Sequence, residues 1–223
     1  MREIQRKSIA ILLDLDGTIV DSREAYLEAM KTAFRSIGHK LIDVGTVTEI
    51  PKRLEQNLAI DDLLVGLDVK SFLGIYLRTY YENTATKSKL IPNVSEALRR
   101  LSEKANLALT TMRYVSKQQV LKELEKLGVA KYFRIVLTAL DTCNSKPSPE
   151  ALLKCAREFN VETGRCVVVG DSVVDIRAGK NAGAKTVGVL TGIFSRKELE
   201  AEKPDLILES VSELPESLDL LLK

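Results

Sequence analysis

Near the start of the chain an unbroken apolar run, Ile9 to Leu13, stops abruptly at Asp14. A run that short, bounded by turn residues, predicts a strand buried on both faces, as in a parallel sheet. The period then becomes helical for about 70 residues. Asp21 and Glu24 form a capping box, and behind it Tyr26, Met30, Ala33 and Ile37 recur at helical spacing until Gly38. A second helix opens at Asp68, with Val69, Phe72, Leu73, Tyr76, Leu77 and Tyr80 on one face. Between them "TVTEIPKRLEQNL" and "DDLLVGL" read as shorter helices, with Pro51 in a first turn.

From Pro92 onward helices alternate with strands. A helix capped at Asn93 leads into "LALTT", and one from Ser116 to Gly128 leads into "RIVLT". A helix opened by Ser148 and Pro149 leads into "RCVVVG", a short one after Ser172 into "TVGVL", and "DLILE" follows Pro204. That alternation predicts an α/β protein with a parallel sheet and right-handed crossovers. The first strand has the same buried character but no partner nearby in sequence. The simplest organisation is one α/β core, residues 1–19 and 92–223, interrupted by a helical insert over 20–91. The insert leaves directly after Asp14 and Asp16, which places it over them.

Composition narrows the partners. The 223 residues carry 33 basic and 31 acidic side chains, a formal charge of +2, which gives no case for nucleic acid or an anionic membrane. No apolar run is long enough to span a bilayer, and no apolar signal segment follows "MREIQRK". Cys143, Cys155 and Cys166 show no CxxC spacing, which points to a reducing cytoplasm and to buried structural thiols.

Ligands of open parallel sheets bind beyond the carboxyl ends of the strands. There the sequence places Asp14 and Asp16, Thr110 and Thr111, Lys146 in "SKPSPE", and Asp171 with Asp175 in "GDSVVD". Carboxylates, an ammonium and a hydroxyl at one sheet edge suit a hard cation and a phosphoryl group. Taken singly, each has a plainer reading: Lys146 as a solvated lysine, Thr111 as a strand threonine, Asp175 as the partner of Ser172 in a capping box. Arg23, Lys52, Arg53, Arg78 and Arg113 are further basic residues that could meet an anionic substrate.

The set "DLDGTIVDS", a strand ending in Thr, "KP" and "VVVGDSVVDIRAGKNAG" resembles the haloacid dehalogenase superfamily. The likeness is to its phosphatase-like branch with a helical cap, near phosphoglycolate phosphatases and β-phosphoglucomutases. It covers essentially the whole chain. The resemblance implies a Rossmann-like core with a small helical cap, Mg²⁺, and phosphoryl transfer through an aspartyl-phosphate. Carried over residue by residue, it implies Asp14 as nucleophile and Asp16 as general acid and base. Thr111 would bind the phosphoryl group and Lys146 would balance charge. It also implies Asp14, Asp16 (through its carbonyl), Asp171 and Asp175 as the metal set, Asp175 directly or through water.

Two departures stand out. Met112 follows the motif threonine where relatives often have Asn, which leaves Thr110 beside Thr111 as a candidate. Glu49 stands where relatives acting on phosphoglycolate often have Gly. The expected activity is Mg²⁺-dependent hydrolysis of a small phosphorylated metabolite in the cytoplasm, by a monomer or homodimer. An acid at Asp16 argues against the dehalogenating and phosphonate-cleaving branches, whose leaving groups need no proton. A sugar-phosphate mutase is the alternative within the superfamily. A phosphoacceptor receiver module is the alternative outside it, although such modules are shorter and have no helical insert.

Overall fold

The structure is a computed structural model and describes residues 7–39 and 44–222. The apolar run forms β1 (Ala10–Leu13), and all four residues are buried. Four more buried or half-buried segments become β4 (Asn106–Thr110), β5 (Phe133–Leu137), β6 (Cys166–Gly170) and β7 (Lys185–Val189), and β8 (Leu206–Leu208) completes the sheet. The order is β5-β4-β1-β6-β7-β8, and every pairing is parallel. β1 therefore lies inside the sheet, with Leu13 opposite Leu109 on one side and Val169 on the other.

Alternate residues of a strand face opposite ways, and the core divides accordingly. Ile11, Leu13, Leu107, Leu109, Val167 and Val169 pack on one face with Leu98, Leu101, Val120, Leu124 and Leu214. Those partners come from α4 (Val94–Lys104), α5 (Lys117–Lys126) and α9 (Leu214–Leu221). Ala10, Leu12, Ala108 and Val168 face the other way, onto Leu152, Cys155, Ala156 and Phe159 of α6 (Glu150–Phe159), with Ala178 and Ala182 of α7 (Val173–Ala182). α8 (Arg196–Ala201) precedes β8. This is the parallel α/β architecture that the strand and helix alternation predicts, and the Rossmann-like core that the resemblance implies.

Between β1 and α4 the chain leaves the sheet and returns through a two-stranded antiparallel ladder, β2 (Val20–Asp21) with β3 (Lys89–Leu90). The excursion contains α1 (Arg23–Ser36), α2 (Val44–Glu55), a single 3₁₀ turn at Asp61–Leu63, and α3 (Val69–Lys87). These helices bury their own apolar cluster around Met30, Phe34, Val47, Ile50, Ile60, Phe72, Tyr76 and Tyr80. Phe34 and Phe72 meet edge-on at 5.0 Å.

Local chemistry differs from expectation at several points. Asp21 does not box with Glu24, because its carboxylate is held by Arg23, whose Nε lies 2.9 Å away; α1 begins behind Ser22 without a side-chain cap. Pro51 lies inside α2 and not in its first turn, because the helix begins upstream at Val44. The missing N–H forfeits one helical bond, and burial of Val47 and Ile50 holds the segment. "DDLLVGL" yields only the 3₁₀ turn. Asn93 starts α4 from a left-handed backbone with φ 64° and no side-chain cap bond. Cys155 and Cys166 are buried as expected, but Cys143 is exposed. Among the described residues no helix is long and apolar enough to cross a membrane.

The insert's cluster depends on a few large side chains. Phe72→Ala removes a fully buried ring and should cost about 3–5 kcal/mol, read as a lower urea midpoint with an unchanged slope.

Candidate active site

The site begins where β1 runs out. Asp14 extends the ladder by one bond, its N–H donating to the Val169 carbonyl at 2.9 Å. A tight turn follows in which Gly17 adopts φ +72°. A Cβ at Gly17 would lie 2.4 Å from Asp171 Oδ2, and one at Gly192 only 1.6 Å from it. Two loops thus press their bare backbone onto the Asp171 carboxylate, an approach that only glycine permits.

Lys146 organises the floor. Its Nζ lies 2.7 Å from Asp14 Oδ1, 2.7 Å from Asp175 Oδ1 and 2.8 Å from the Thr110 carbonyl. An ammonium has three donors, and all three are used. Asp175 Oδ2 accepts from the Ser172 N–H at 3.2 Å and the Ser172 hydroxyl at 3.0 Å. The residue therefore closes the capping box of α7 and also faces the site. Asp171 Oδ1 accepts from the Thr18 hydroxyl at 3.1 Å.

Oxygens of Asp14, Asp171 and Asp175 lie within 4.8 Å of one another. Burial raises Asp14 to about 7 against the pull of Lys146, with Asp175 and Asp16 adding to the rise. Burial likewise lifts Asp171 well above the usual carboxylate range, reinforced by Glu55, Asp14 and Asp175. Burial would lower Lys146, but Asp14 and Asp175 outweigh it and raise the ammonium. Three crowded, hard, buried oxygen donors against one ammonium leave excess negative charge, and that donor set fits Mg²⁺.

Asp16 faces a different partner. Arg113 grips it with two parallel bonds, Nε to Oδ2 at 2.7 Å and a terminal nitrogen to Oδ1 at 2.6 Å. Its other terminal nitrogen reaches Glu123 at 2.5 Å. The Arg113 side chain is 4% exposed, so it is not a solvated charge. Burial opposes its charge, but Asp16 outweighs that and raises the guanidinium further. The carboxylate of Asp16 accordingly stands outside the three-acid cluster.

Of the two threonines, Thr111 lines the cleft, with its hydroxyl accepting from the Arg113 N–H at 3.2 Å. Thr110 contributes its carbonyl to Lys146. The cleft, about 140 Å³, lies between the strand ends and the insert, whose Tyr26, Pro51, Leu54, Glu55, Tyr76, Leu77, Tyr80 and Tyr81 form the opposite wall. Burial raises Glu55 well above its ordinary range, with Asp175, Asp14 and Asp16 adding to the effect. Four of the five basic candidates lie outside the cleft lining. Lys52 pairs with Glu198 at 2.7 Å, Arg53 with Glu49 at 2.9 Å, Arg23 with Asp21, and Arg78 is exposed.

Thr18, Glu123 and Glu55 escape a reading of the sequence alone. Glu123 left one signal, a carboxylate on the buried face of α5 beside Val120 and Leu124. Glu55 left a weaker one, one position past the half-buried Leu54 on a helix whose inner face is otherwise apolar.

The carboxyl edge of the parallel sheet thus carries two aspartates after an inner strand, a buried lysine and a further acid pair. The chain belongs to the haloacid dehalogenase-like hydrolases, whose family model matches residues 11–189, and it is an enzyme of the phosphatase type. It is 31% identical over 216 residues to a phosphoglycolate phosphatase of Vibrio parahaemolyticus, covering 92% of this chain and 94% of that one. It is 28% identical over 233 residues to the phosphoglycolate phosphatase of Escherichia coli K12, covering 94% and 92%. In fold it resembles a haloacid dehalogenase-like hydrolase of Streptococcus pneumoniae, with TM-score 0.78, 19% identity and coverage of 94% and 98%. It also resembles a putative β-phosphoglucomutase of Thermotoga maritima, with TM-score 0.68, 24% identity and coverage of 95% and 99%.

The Arg113 pairing should be costly to break. Arg113→Ala leaves Asp16 and Glu123 buried without a counter-charge and should destabilise the fold by about 3–5 kcal/mol, measured by urea denaturation.

Proposed function

We propose that the protein hydrolyses small phosphomonoesters in two steps through an aspartyl-phosphate on Asp14. The observation that carries this reading is Lys146, whose ammonium bridges Asp14 and Asp175 at 2.7 Å each directly beneath the cleft. An anionic nucleophile attacking an anionic ester needs positive charge at that place. Asp14, Asp171 and Asp175, with the main-chain carbonyl of Asp16, are the residues that would hold Mg²⁺. When bound, the ion supplies further positive charge to offset that of the phosphoryl oxygens.

In the first step an Asp14 carboxylate oxygen forms a bond to phosphorus while the bond from phosphorus to the alcohol oxygen breaks. Asp16 gives that departing oxygen its proton. Thr111 donates to the phosphoryl group and Lys146 holds Asp14 in place. In the second step Asp16, now ionised, takes a proton from water as the water oxygen attacks phosphorus. Phosphate leaves and Asp14 is restored. Arg113 holds both carboxylate oxygens of Asp16 and so fixes its orientation. To act as acid, Asp16 must exchange Arg113 for the ester oxygen. The helical insert, residues 20–91, is the cap of this reading, and its tyrosine-rich face would shield the site from bulk solvent while admitting the one water that the second step uses.

Two outcomes test the proposal. Chelator should abolish turnover and added Mg²⁺ restore it, with Asp171→Asn raising the Mg²⁺ concentration needed for half-activity; full turnover in chelator would contradict it. The two aspartates should separate by leaving group. Asp14→Asn should fold and transfer nothing. Asp16→Ala should lose about 10²–10⁴-fold on an alkyl phosphate but still be phosphorylated by an activated aryl phosphate, whose leaving group departs without a proton. Rapid quenching should then trap the phosphoenzyme, since the base for its hydrolysis is also gone. Equal losses on both esters with no trapped intermediate would show that Asp16 carries no proton.

A further inference from the structure

The cleft has two walls of unlike chemistry. The strand-end wall holds the groups that would engage a phosphoryl unit, so the rest of a bound ester must point toward the insert. There it meets four tyrosines, the apolar side chains of Pro51, Leu54 and Leu77, and one carboxyl group, that of Glu55. Among the described residues no lysine or arginine of the insert lines the cleft.

The asymmetry is built into α2. Lys52 turns outward to Glu198, at 2.7 Å and 2.8 Å from its two oxygens, and lies 5.2 Å over the Phe194 ring. Arg53 turns to Glu49 and Asp62. Gln56 meets Arg177 at 3.4 Å. The helix is thus tied to the core on both sides of Glu55, and it sends Lys52, Arg53 and Glu49 out and Glu55 in. Among the described residues Glu55 accepts one side-chain hydrogen bond, from the Tyr26 hydroxyl at 3.5 Å. The guanidinium at the cleft's edge, Arg113, is already divided between Asp16 and Glu123.

We propose that Glu55 selects the leaving group, so that the site takes phosphate esters whose alcohol half carries O–H or N–H donors and discriminates against esters bearing a carboxylate. This rests on the phosphomonoesterase reading above. A donor on the substrate satisfies Glu55, and the tyrosine faces accept either the C–H side of a sugar or an alkylammonium. A substrate donor offsets the burial and the neighbouring acids that hold Glu55 above the usual carboxylate range, whereas a substrate carboxylate adds one more negative charge beside Asp14, Asp16 and Asp175. Among the described residues the cations nearest the cleft, Arg113 and Lys146, are already paired. A site built to hydrogen-bond a donor rejects an analogue that lacks it far more strongly than an apolar pocket does.

The test compares kcat/KM on a hexose phosphate, an aminoalkyl phosphate, phosphoglycolate and an activated aryl phosphate, for the wild-type protein and for Glu55→Gln. The wild type should favour at least one donor-bearing ester over phosphoglycolate by about tenfold or more. In Glu55→Gln that ratio should fall by about 10–100-fold, the worth of one hydrogen bond to a charged group, chiefly through KM. A larger fall for the aminoalkyl ester identifies an ammonium as the donor, because Gln still accepts from hydroxyls but carries no charge. Highest wild-type activity on phosphoglycolate, or a ratio unmoved by Glu55→Gln, overturns the selection by Glu55 while leaving the phosphatase reading intact. Absence of turnover on every ester, the aryl phosphate included, overturns both. The wild-type ranking decides the matter even if the variant does not fold.

Discussion

The ammonium of Lys146 is the charge on which the strand-end site depends. It is 5% exposed and reaches two carboxylates from different elements, Asp14 after β1 and Asp175 in α7, together with the carbonyl that ends β4. Buried acids of like sign repel one another in a medium that screens them poorly, and this cation, reaching in from the start of the β5–β6 crossover, offsets part of that repulsion. Burial above all, with the repulsion that remains, makes Asp14 and Asp171 hold their protons more tightly than ordinary carboxylates. The same excess of negative charge makes the cluster a receptacle for a hard cation.

A second, separate device handles Asp16. Arg113 and Glu123 form a buried chain with it, so two acids two residues apart in sequence sit in different electrostatic settings. Asp14 shares a lysine with the three-acid cluster, whereas Asp16 is forked by a guanidinium. In the proposed mechanism that separation suits one carboxylate to attacking phosphorus and its neighbour to handling protons. The insert supplies a third setting, an aromatic wall with one inward acid, Glu55, where the proposed choice of substrate would be made.

The core was legible because its signals are local. Buried strands show as apolar runs, the helix start at Ser172 shows as a capping box with Asp175, and that box is present. The strand-end residues could be ranked because their place in an alternating α/β pattern brings them to one edge. Helix starts without such a box were read less well, as at α1 and α2, where Arg23 takes the expected cap and Pro51 lies mid-helix.

What the sequence by itself determined is the architecture and the chemical character of the edge: a parallel sheet, an excursion after the second aspartate, and acids with a lysine at the strand ends. Tertiary structure alone decided which charge neutralises which. Arg113 looked like one surface cation among five until folding buried it against Asp16 and Glu123, and Lys52 and Glu55 differ only in the direction each leaves α2. Helix-face direction and long-range pairing across 97 residues, as between Asp16 and Arg113, depend on how elements pack. A pairing energy exists only once two distant segments share a low-dielectric site, so no local pattern in the chain records it.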